Sequence, residues 1–249
     1  MLAKSAEALF TGLIDYAGLF PPAALSMTDA VRNFDAYRRG DYAWMLGRFV
    51  VPAAKMHEVP GDFPKSVLGV AENDVLELKY EECGQPRPNI ATTVYVEVSG
   101  LAQLDDVARQ GLRAKLRTGG VTHDAFPDAE RVASFIERCA ELGLAFKATA
   151  GLHHPIRCVK PLTYEPGAPT GTMHGFVNVF MAAALPQHSR EILMESDARA
   201  FEFSDDSASW RGHSIATADL ARVRNEFAIS FGSCSFEEPL NDLKELGWL

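Results

Sequence analysis

Short, nearly apolar runs alternate along the chain with segments whose apolar residues recur at helical spacing. The runs lack the polar alternation of a half-exposed strand, which is typical of parallel strands covered on both faces. This order of elements predicts an α/β protein with a parallel sheet. The predicted strands are residues 11–17, 44–51, 65–71, 92–98, 113–117, 145–150, 176–182 and 226–231. Residues 75–80 fit either a short helix or an extra strand.

Two of the predicted helices have sequence signals at both ends. Residues 26–39 begin at Ser26, a residue suited to the N-cap, and end before Gly40. Residues 128–142 carry apolar side chains at helical spacing and end before Gly143. Further helices are predicted at residues 101–112 and from Ser189 onward.

The length of 249 residues matches one complete (β/α)8 barrel. We therefore predict an α/β fold, a single TIM-type barrel domain over residues 1–249 with irregular connections. A flavodoxin-like open sheet is the main structural alternative. Residues 155–173 hold four of the 14 prolines and predict a long loop over the barrel mouth, after the strand that ends near Gly151. The polar residues 201–212 predict a second insertion.

Composition narrows the classes of partner. Hydrophobic residues make up 47% and charged residues 23% of the chain, as in an ordinary globular domain. The net charge of −9 argues against a nucleic-acid groove, although a local cluster of cations can still bind a small anion. No run approaches the roughly 18 apolar residues of a bilayer span, and the four cysteines form no CxxC pair. We therefore expect a cytoplasmic protein with a small anionic substrate, without nucleic-acid or membrane partners, and compatible with a homo-oligomer.

The candidate chemistry lies at the carboxyl ends of two predicted strands, where barrel enzymes form their active sites. Lys115 and Arg117 share one face of the first strand, and Lys147 and Thr149 share one face of the second. We expect these cations to face the lumen, because an outward face would press them into helices without a partner. A neighbouring cation and burial both lower a lysine pKa, which would make Lys147 an amine nucleophile beside Lys115. The alternative is that both lysines only bind a carboxylate or phosphate.

The segment Arg117-Thr118-Gly119-Gly120 predicts an anion site. A guanidinium fork suits carboxylate or phosphate, and the backbone amides of a glycine-rich turn form a nest for anions. The alternative is a strand end that needs glycine for a positive φ.

His153 and His154 follow the second of these strands. Adjacent residues of an extended chain point in opposite directions, so one imidazole can face the site while the other packs. Proton transfer is the functional interpretation. The alternative is that the two histidines have only a structural role. Metal ligation with Glu97, Asp15 or His174 is a further alternative, although no HxH or HExxH spacing is present. No cofactor is predicted, and a divalent metal is expected only if the histidines are metal ligands.

Polar residues interrupt several of the apolar strands. Asp15 could pair with Lys147 or Arg117 or act as a base, and a plain turn is its alternative. Glu97 is costly inside its strand unless it is paired, and Lys115 on the neighbouring strand is the natural partner. The remaining candidates for substrate binding are Thr149, Asn178, Arg48 and Ser233, the last in a small-residue strand end of the kind that often binds phosphate in barrels.

The strings LIDYAGLFPPA, KLRTGG, FKATAGLHHP and FGSCSFEEP resemble those of a family of uncharacterised bacterial proteins of (β/α)8-barrel type. The resemblance covers most of the chain and implies no activity. The paired strand-end lysines are also loosely similar to class I aldolases of barrel fold such as deoxyribose-phosphate aldolase, which implies a Schiff base at Lys147. The motif of that family around its lysine is not reproduced, since Lys147 is followed by Ala148-Thr149-Ala150-Gly151.

The sequence thus predicts an enzyme of lyase type, similar to an aldolase, that acts on a small anionic carbonyl compound. Lys147 is the expected nucleophile, Lys115 its neighbour and Arg117 the anion clamp, with His153 or His154 moving protons. A metal-dependent hydrolase or isomerase that uses the histidines with carboxylates is the first alternative. A small-anion binding protein without catalysis is the second.

Overall fold

The structure, a computed structural model, describes residues 2–85 and 93–249. Its strands are β1 (Ile14–Tyr16), β2 (Leu46–Pro52), β3 (Lys65–Leu68), β4 (Val75–Lys79), β5 (Thr93–Glu97), β6 (Arg113–Arg117), β7 (Phe146–Thr149), β8 (Cys158–Pro161), β9 (Thr170–Met173), β10 (Phe201–Phe203), β11 (Ser207–Trp210), β12 (His213–Ala216) and β13 (Ala228–Ser233). Its α-helices are α1 (Lys4–Phe10), α2 (Met27–Tyr37), α3 (Ala102–Arg109), α4 (Ala129–Leu142), α5 (Phe176–Ala184), α6 (Ser189–Met194), α7 (Thr217–Glu226) and α8 (Glu237–Glu245).

Eight of the strands close a parallel barrel in the order β1-β13-β7-β6-β5-β4-β3-β2. The predicted (β/α)8 barrel of TIM type is therefore confirmed, and an open sheet is excluded. The barrel is irregular on one side. The 3₁₀ turn Ala53–Glu58 lies between β2 and β3 where a helix would be expected, and only residues 69–74 join β3 to β4.

Helix ends follow the signals in the sequence. At the start of α2 the backbone N–H of Asp29 donates to Ser26 Oγ at 3.1 Å, and at the start of α4 the backbone N–H of Arg131 donates to Asp128 Oδ1 at 2.8 Å. Helix α4 ends at Gly143 with a φ of 61°, a left-handed conformation that glycine adopts without strain. The predicted N-cap at Ser26 and the predicted stop at Gly143 are confirmed.

The hydrophobic core lies between the barrel wall and the surrounding helices. Outward-facing strand residues such as Phe49, Leu76 and Phe146 are fully buried in this core, and α4 covers part of it with Phe135 and Ile136. The alternate, inward positions of the same strands are largely polar: Asp15, Ser66, Glu77, Tyr95, Glu97, Lys115, Lys147 and Ser230. Burial of apolar surface on the outside therefore holds the barrel together, and its lumen carries charge.

One expected barrel strand is wrong, and one open alternative is resolved as a strand. Residues 176–182, expected to form a strand, belong to helix α5, and the strand that completes the barrel is β4 at Val75–Lys79. Helix α5 is buried over its whole length, so it is apolar on every side and shows no helical period. The expected start of β5 at Thr92 lies outside the described residues. Both ends of β6 agree with the prediction, and most other strand and helix ends shift by a few residues.

The two predicted insertions have regular structure. Residues 155–173, expected to form a loop, contain the antiparallel hairpin β8–β9, and residues 201–212 belong to the antiparallel sheet β10-β11-β12. Both lie between β7 and β13, together with α5, α6 and α7. In residues 2–85 and 93–249, no helix combines the length and the apolar character needed to cross a bilayer.

Candidate active site

A cavity of about 450 Å³ opens at the carboxyl ends of the barrel strands, and we call it the mouth cavity. Phe20, Pro22, Val50 and Leu68 form its apolar side. The polar side chains that line it are Glu77, Lys115, Arg117, Thr122, Lys147, Thr149, His153 and Cys234. The two strand ends predicted to converge, β6 and β7, therefore meet at one cavity with a size suited to a small molecule.

The lumen below this cavity holds a continuous row of alternating charges, which we call the ion-pair ladder. Its order is Asp15, Lys147, Glu77, Lys115, Glu97 and Arg117. Lys147 Nζ lies 2.6 Å from Asp15 Oδ2 and 2.6 Å from Glu77 Oε1. Lys115 Nζ lies 2.9 Å from Glu77 Oε2 and 3.0 Å from Glu97 Oε2, and Arg117 Nε lies 3.1 Å from Glu97 Oε1.

Backbone register explains why the two lysines come together. Lys115 is the direct neighbour of Lys147 on β7 and of Glu97 on β5, so the three side chains point into the lumen at one level. Glu77 reaches both lysines from β4, three positions round the barrel from Lys147. The predicted pairs of Asp15 with Lys147 and of Glu97 with Lys115 are confirmed.

Further hydrogen bonds orient two of the ladder carboxylates, Asp15 and Glu77. Ser230 Oγ donates to Asp15 Oδ2 at 2.7 Å, and the backbone N–H of Arg48 donates to Asp15 Oδ1 at 2.7 Å. Ser66 Oγ donates to Glu77 Oε1 at 2.6 Å. These bonds hold each carboxylate in one orientation, which a buried charge requires.

The pKa values of the ladder follow from this pairing. Burial alone would raise the pKa of Glu77, but the charges of Lys147 and Lys115 and the hydrogen bonds from Lys147 and Ser66 hold it far below its usual range. Burial would likewise raise the pKa of Glu97, and the charges of Lys115 and Arg117 lower it instead. Burial lowers the pKa of Lys147, but Asp15 and Glu77 outweigh it and raise that pKa. The expectation of a lowered pKa at Lys147 is therefore wrong, because two carboxylates contact its ammonium.

A second polar cluster stands at the rim of the mouth cavity. His153 Nδ1 lies 3.0 Å from Glu238 Oε2 on α8, and Tyr164 Oη donates to the same oxygen at 3.0 Å. Among the described residues Nε2 of His153 has no hydrogen-bond partner, and the ring lines the cavity. A carboxylate on one ring nitrogen orients an imidazole and leaves the other nitrogen for proton transfer.

His154 is not part of the lining of the mouth cavity, and its Nε2 lies 3.9 Å from Oε1 of the same Glu238 carboxylate that contacts His153. The Nδ1 of His154 lies 2.6 Å from Asp242 Oδ2 on α8. Adjacent residues thus take different roles, as the extended chain predicts, and His153 is the one that faces the site.

The residues of the predicted anion segment, 117–120, have different roles in the structure. Arg117 has a half-exposed side chain whose Nε donates to Glu97 Oε1, and both Arg117 and Gly120 line the mouth cavity. Thr118 is fully buried and donates to the carbonyl oxygen of Ala150 at 2.6 Å, so it closes the ends of β6 and β7. A Cβ at Gly119 would lie 2.8 Å from the Cα of Gly151, so glycine is required there for close backbone packing.

Three predicted site residues lie elsewhere. Asn178 is fully buried in α5, where its amide binds the backbone of Arg157, Ile192 and Glu195. Its prediction as a site residue depended on a strand at residues 176–182, which the structure shows to be a helix. Ser233 is buried and accepts from the backbone N–H of Ser235 at 3.3 Å. Arg48 lies at the amino end of the lumen, outside the mouth cavity.

Sequence reasoning missed Glu77, Glu238, Asp242 and Tyr164. The signal for Glu77 was present, because a carboxylate in an apolar run such as 75–80 needs a partner if the run is a strand. Glu238 and Asp242 reach the histidines across 85 and 88 residues of chain, and no local pattern marks them.

The described residues offer no group of three or more His, Cys, Asp or Glu side chains placed to hold a metal ion. His174, named above as a metal partner for the histidine pair, instead contacts the carbonyl oxygen of Pro127 through Nε2 at 2.7 Å. No protein-family model, curated protein or solved structure matches the chain significantly. The site is therefore interpreted from its own geometry.

Proposed function

We propose that the protein is a lyase of aldolase type that binds a small anionic carbonyl compound in the mouth cavity and forms an iminium with a buried lysine. The ion-pair ladder carries this proposal. Two adjacent lysines, three carboxylates and a guanidinium occupy the catalytic end of a barrel, directly below a cavity of about 450 Å³.

A purely structural role explains the ladder poorly. Burying charges costs several kcal/mol per ion before pairing, and apolar residues of similar volume are often as stabilising as a buried ion pair. The outward core already supplies apolar burial around the whole barrel. Clusters of strongly shifted titratable groups in a cleft are typical of functional sites.

The geometry favours Lys115 over Lys147 as the nucleophile. An attacking amine must first lose a proton to a neighbouring carboxylate. Lys115 contacts Glu97, whose side chain is 21% exposed, so the proton has a route to solvent. Lys147 contacts Asp15 and Glu77, whose side chains are 5% and 2% exposed. The sequence favoured Lys147 as the nucleophile, and the exposure of Glu97 favours Lys115 instead.

The proposed reaction uses this proton route. Lys115 transfers a proton to Glu97, and the free amine adds to the substrate carbonyl carbon, with loss of water, to give an iminium. A base then removes the proton of the substrate β-hydroxyl group, and the carbon–carbon bond breaks to release an aldehyde while the electron pair enters the iminium. Protonation of the resulting enamine carbon and addition of water release the second product and restore Lys115.

The other lining residues fit defined steps. Arg117 lines the mouth cavity, and its guanidinium is the group that binds a carboxylate or phosphate of the substrate. His153, oriented by Glu238, is the base that takes the hydroxyl proton. Lys147 stays protonated between Asp15 and Glu77 and neutralises carboxylate charge beside Lys115.

Borohydride trapping tests the proposal. Wild-type protein, K115R and K147R are each incubated with small 2-oxo acids or phosphorylated aldehydes and borohydride, and intact mass is measured. We expect an adduct in wild type and K147R, none in K115R, and aldehyde release from a matching β-hydroxy substrate by proton NMR.

Each other outcome is informative. An adduct lost only in K147R would move the nucleophile to Lys147 and keep the reaction class. Thermal stabilisation by the same compounds without adduct or turnover would indicate a binding protein and overturn the lyase proposal.

A further inference from the structure

A second cavity lies on the barrel axis at the opposite, amino end of the lumen, and we call it the amino-end cavity. Its volume is about 190 Å³, and residues from all eight barrel strands or the turns just before them line it. The centre of such a barrel is normally filled by layers of apolar side chains. Here the lining includes Arg48, Arg113 and the hydroxyls of Tyr95 and Ser230.

The charges around this cavity do not balance. Among the described lining residues Asp15 is the only carboxylate, and both of its oxygens are already used by Lys147, Ser230 and the backbone N–H of Arg48. Two guanidinium groups and one ammonium line the same space. Lys147 and Arg48 are paired with Glu77 and Asp74 outside the lining, so the excess of positive charge comes from Arg113.

Arg113 has the least compensated of these charges. Its Nη1 donates to Tyr95 Oη at 3.1 Å, and its guanidinium carbon lies 5.7 Å from the centre of the Tyr95 ring. It forms no ion pair with any carboxylate in the described part of the chain. Arg48 is partly compensated, since its Nη1 lies 3.4 Å from Asp74 and 3.2 Å from the carbonyl oxygen of Lys65.

We propose that the amino-end cavity binds a small oxyanion, of the size of inorganic phosphate, between Arg113 and Arg48. A guanidinium with free nitrogens suits a tetrahedral oxyanion, and the Tyr95 hydroxyl adds a further polar contact. The volume of about 190 Å³ equals that of about six water molecules at about 30 Å³ each, so an oxyanion fits with water around it.

The site is separate from the mouth cavity but touches the same ladder. Lys147 is part of the lining of both cavities, and Asp15 lies on the amino-end side of its ammonium while Glu77 lies on the mouth side. An anion at the amino end would therefore sit behind the catalytic lumen and not in the path of the substrate. Its binding does not depend on the lyase proposal.

Calorimetric titration with inorganic phosphate tests the site in wild-type protein, R113Q and the matched variant R117Q, which removes the guanidinium at the mouth instead. Loss of a charge-assisted hydrogen bond predicts binding weakened by about tenfold or more in R113Q. R117Q should keep the wild-type affinity for this site. Binding that is lost in R117Q and kept in R113Q, or no saturable binding in wild type, would overturn the proposal.

A measurement on wild-type protein covers the case in which R113Q fails to fold. Hydrogen–deuterium exchange with and without phosphate should show slower exchange at the starts of β2 and β6, next to Arg48 and Arg113. Slower exchange confined to residues 118–122 would place the anion at the mouth and contradict the site. Neither readout needs substrate, so failure of this site and failure of the lyase proposal are distinguishable.

Discussion

Replacing Glu77 by glutamine should destabilise the fold more than any change at an exposed ion pair. The Glu77 carboxylate lies 2.6 Å from Lys147, 2.9 Å from Lys115 and 2.6 Å from Ser66, and its side chain is 2% exposed. The neutral amide keeps the shape but leaves two buried ammonium groups with one carboxylate fewer. Removing one partner of a buried ion pair costs about 3–5 kcal/mol, against a total of about 5–15 kcal/mol for an ordinary domain.

Urea unfolding followed by tryptophan fluorescence near neutral pH measures this loss. E130Q is the matched control, because Glu130 pairs with Arg190 on the surface with a side chain 63% exposed, and it should leave the unfolding midpoint nearly unchanged. K147M should lower the free energy of unfolding by less in the E77Q background than in wild type, since the two side chains are in contact. Equal midpoints for E77Q and E130Q, or strict additivity of E77Q and K147M, would refute the buried ladder.

Further outcomes follow from the same geometry. The folded-state pKa of Glu77 is lowered. The stability that its charge contributes is therefore complete above the unfolded pKa of about 4.3 and is lost as the pH falls below that value. The urea midpoints of wild type and E77Q should converge in acid. G151A should lower the free energy of unfolding by about 2 kcal/mol or more, because the added Cβ would lie 2.7 Å from backbone and φ is 73°. G111A, where φ is 66° and the space is open, should lower it by about 1 kcal/mol in the same assay. H153Q should lower aldehyde release by about 10²-fold or more, and H154Q should keep it within a few-fold; equal losses would contradict the assignment of His153.

The outline of the barrel could be predicted from the sequence because its strands differ from its helices in period. Strand β6 is predicted with its observed ends, since Arg113–Arg117 lies between a helix and a glycine-rich turn. Residues 176–182 were misassigned because α5 is enclosed by protein on all sides, and a helix without a polar face loses the period that identifies it.

The candidate site was predictable where it depended on strand alternation. Lys115 and Lys147 face the lumen because an outward cation would be buried without a partner, which follows from strand alternation alone. The protonation of Lys147 was only partly predictable: Asp15 was named as a partner of Lys147 from the sequence, whereas Glu77 was not, because its strand was ambiguous. The role of Glu238 depends on where α8 packs, which is a tertiary contact.

Peptide mapping of the borohydride-trapped wild-type protein is the most direct test of chemistry in the barrel lumen, because it identifies which lysine reacts. We expect a 2-oxo acid or phosphorylated aldehyde to modify Lys115, and we expect the modification to disappear when a competing anion blocks the mouth cavity. A modification confined to exposed lysines such as Lys55, unaffected by the competing anion, would contradict the assignment of the barrel lumen as the site of chemistry.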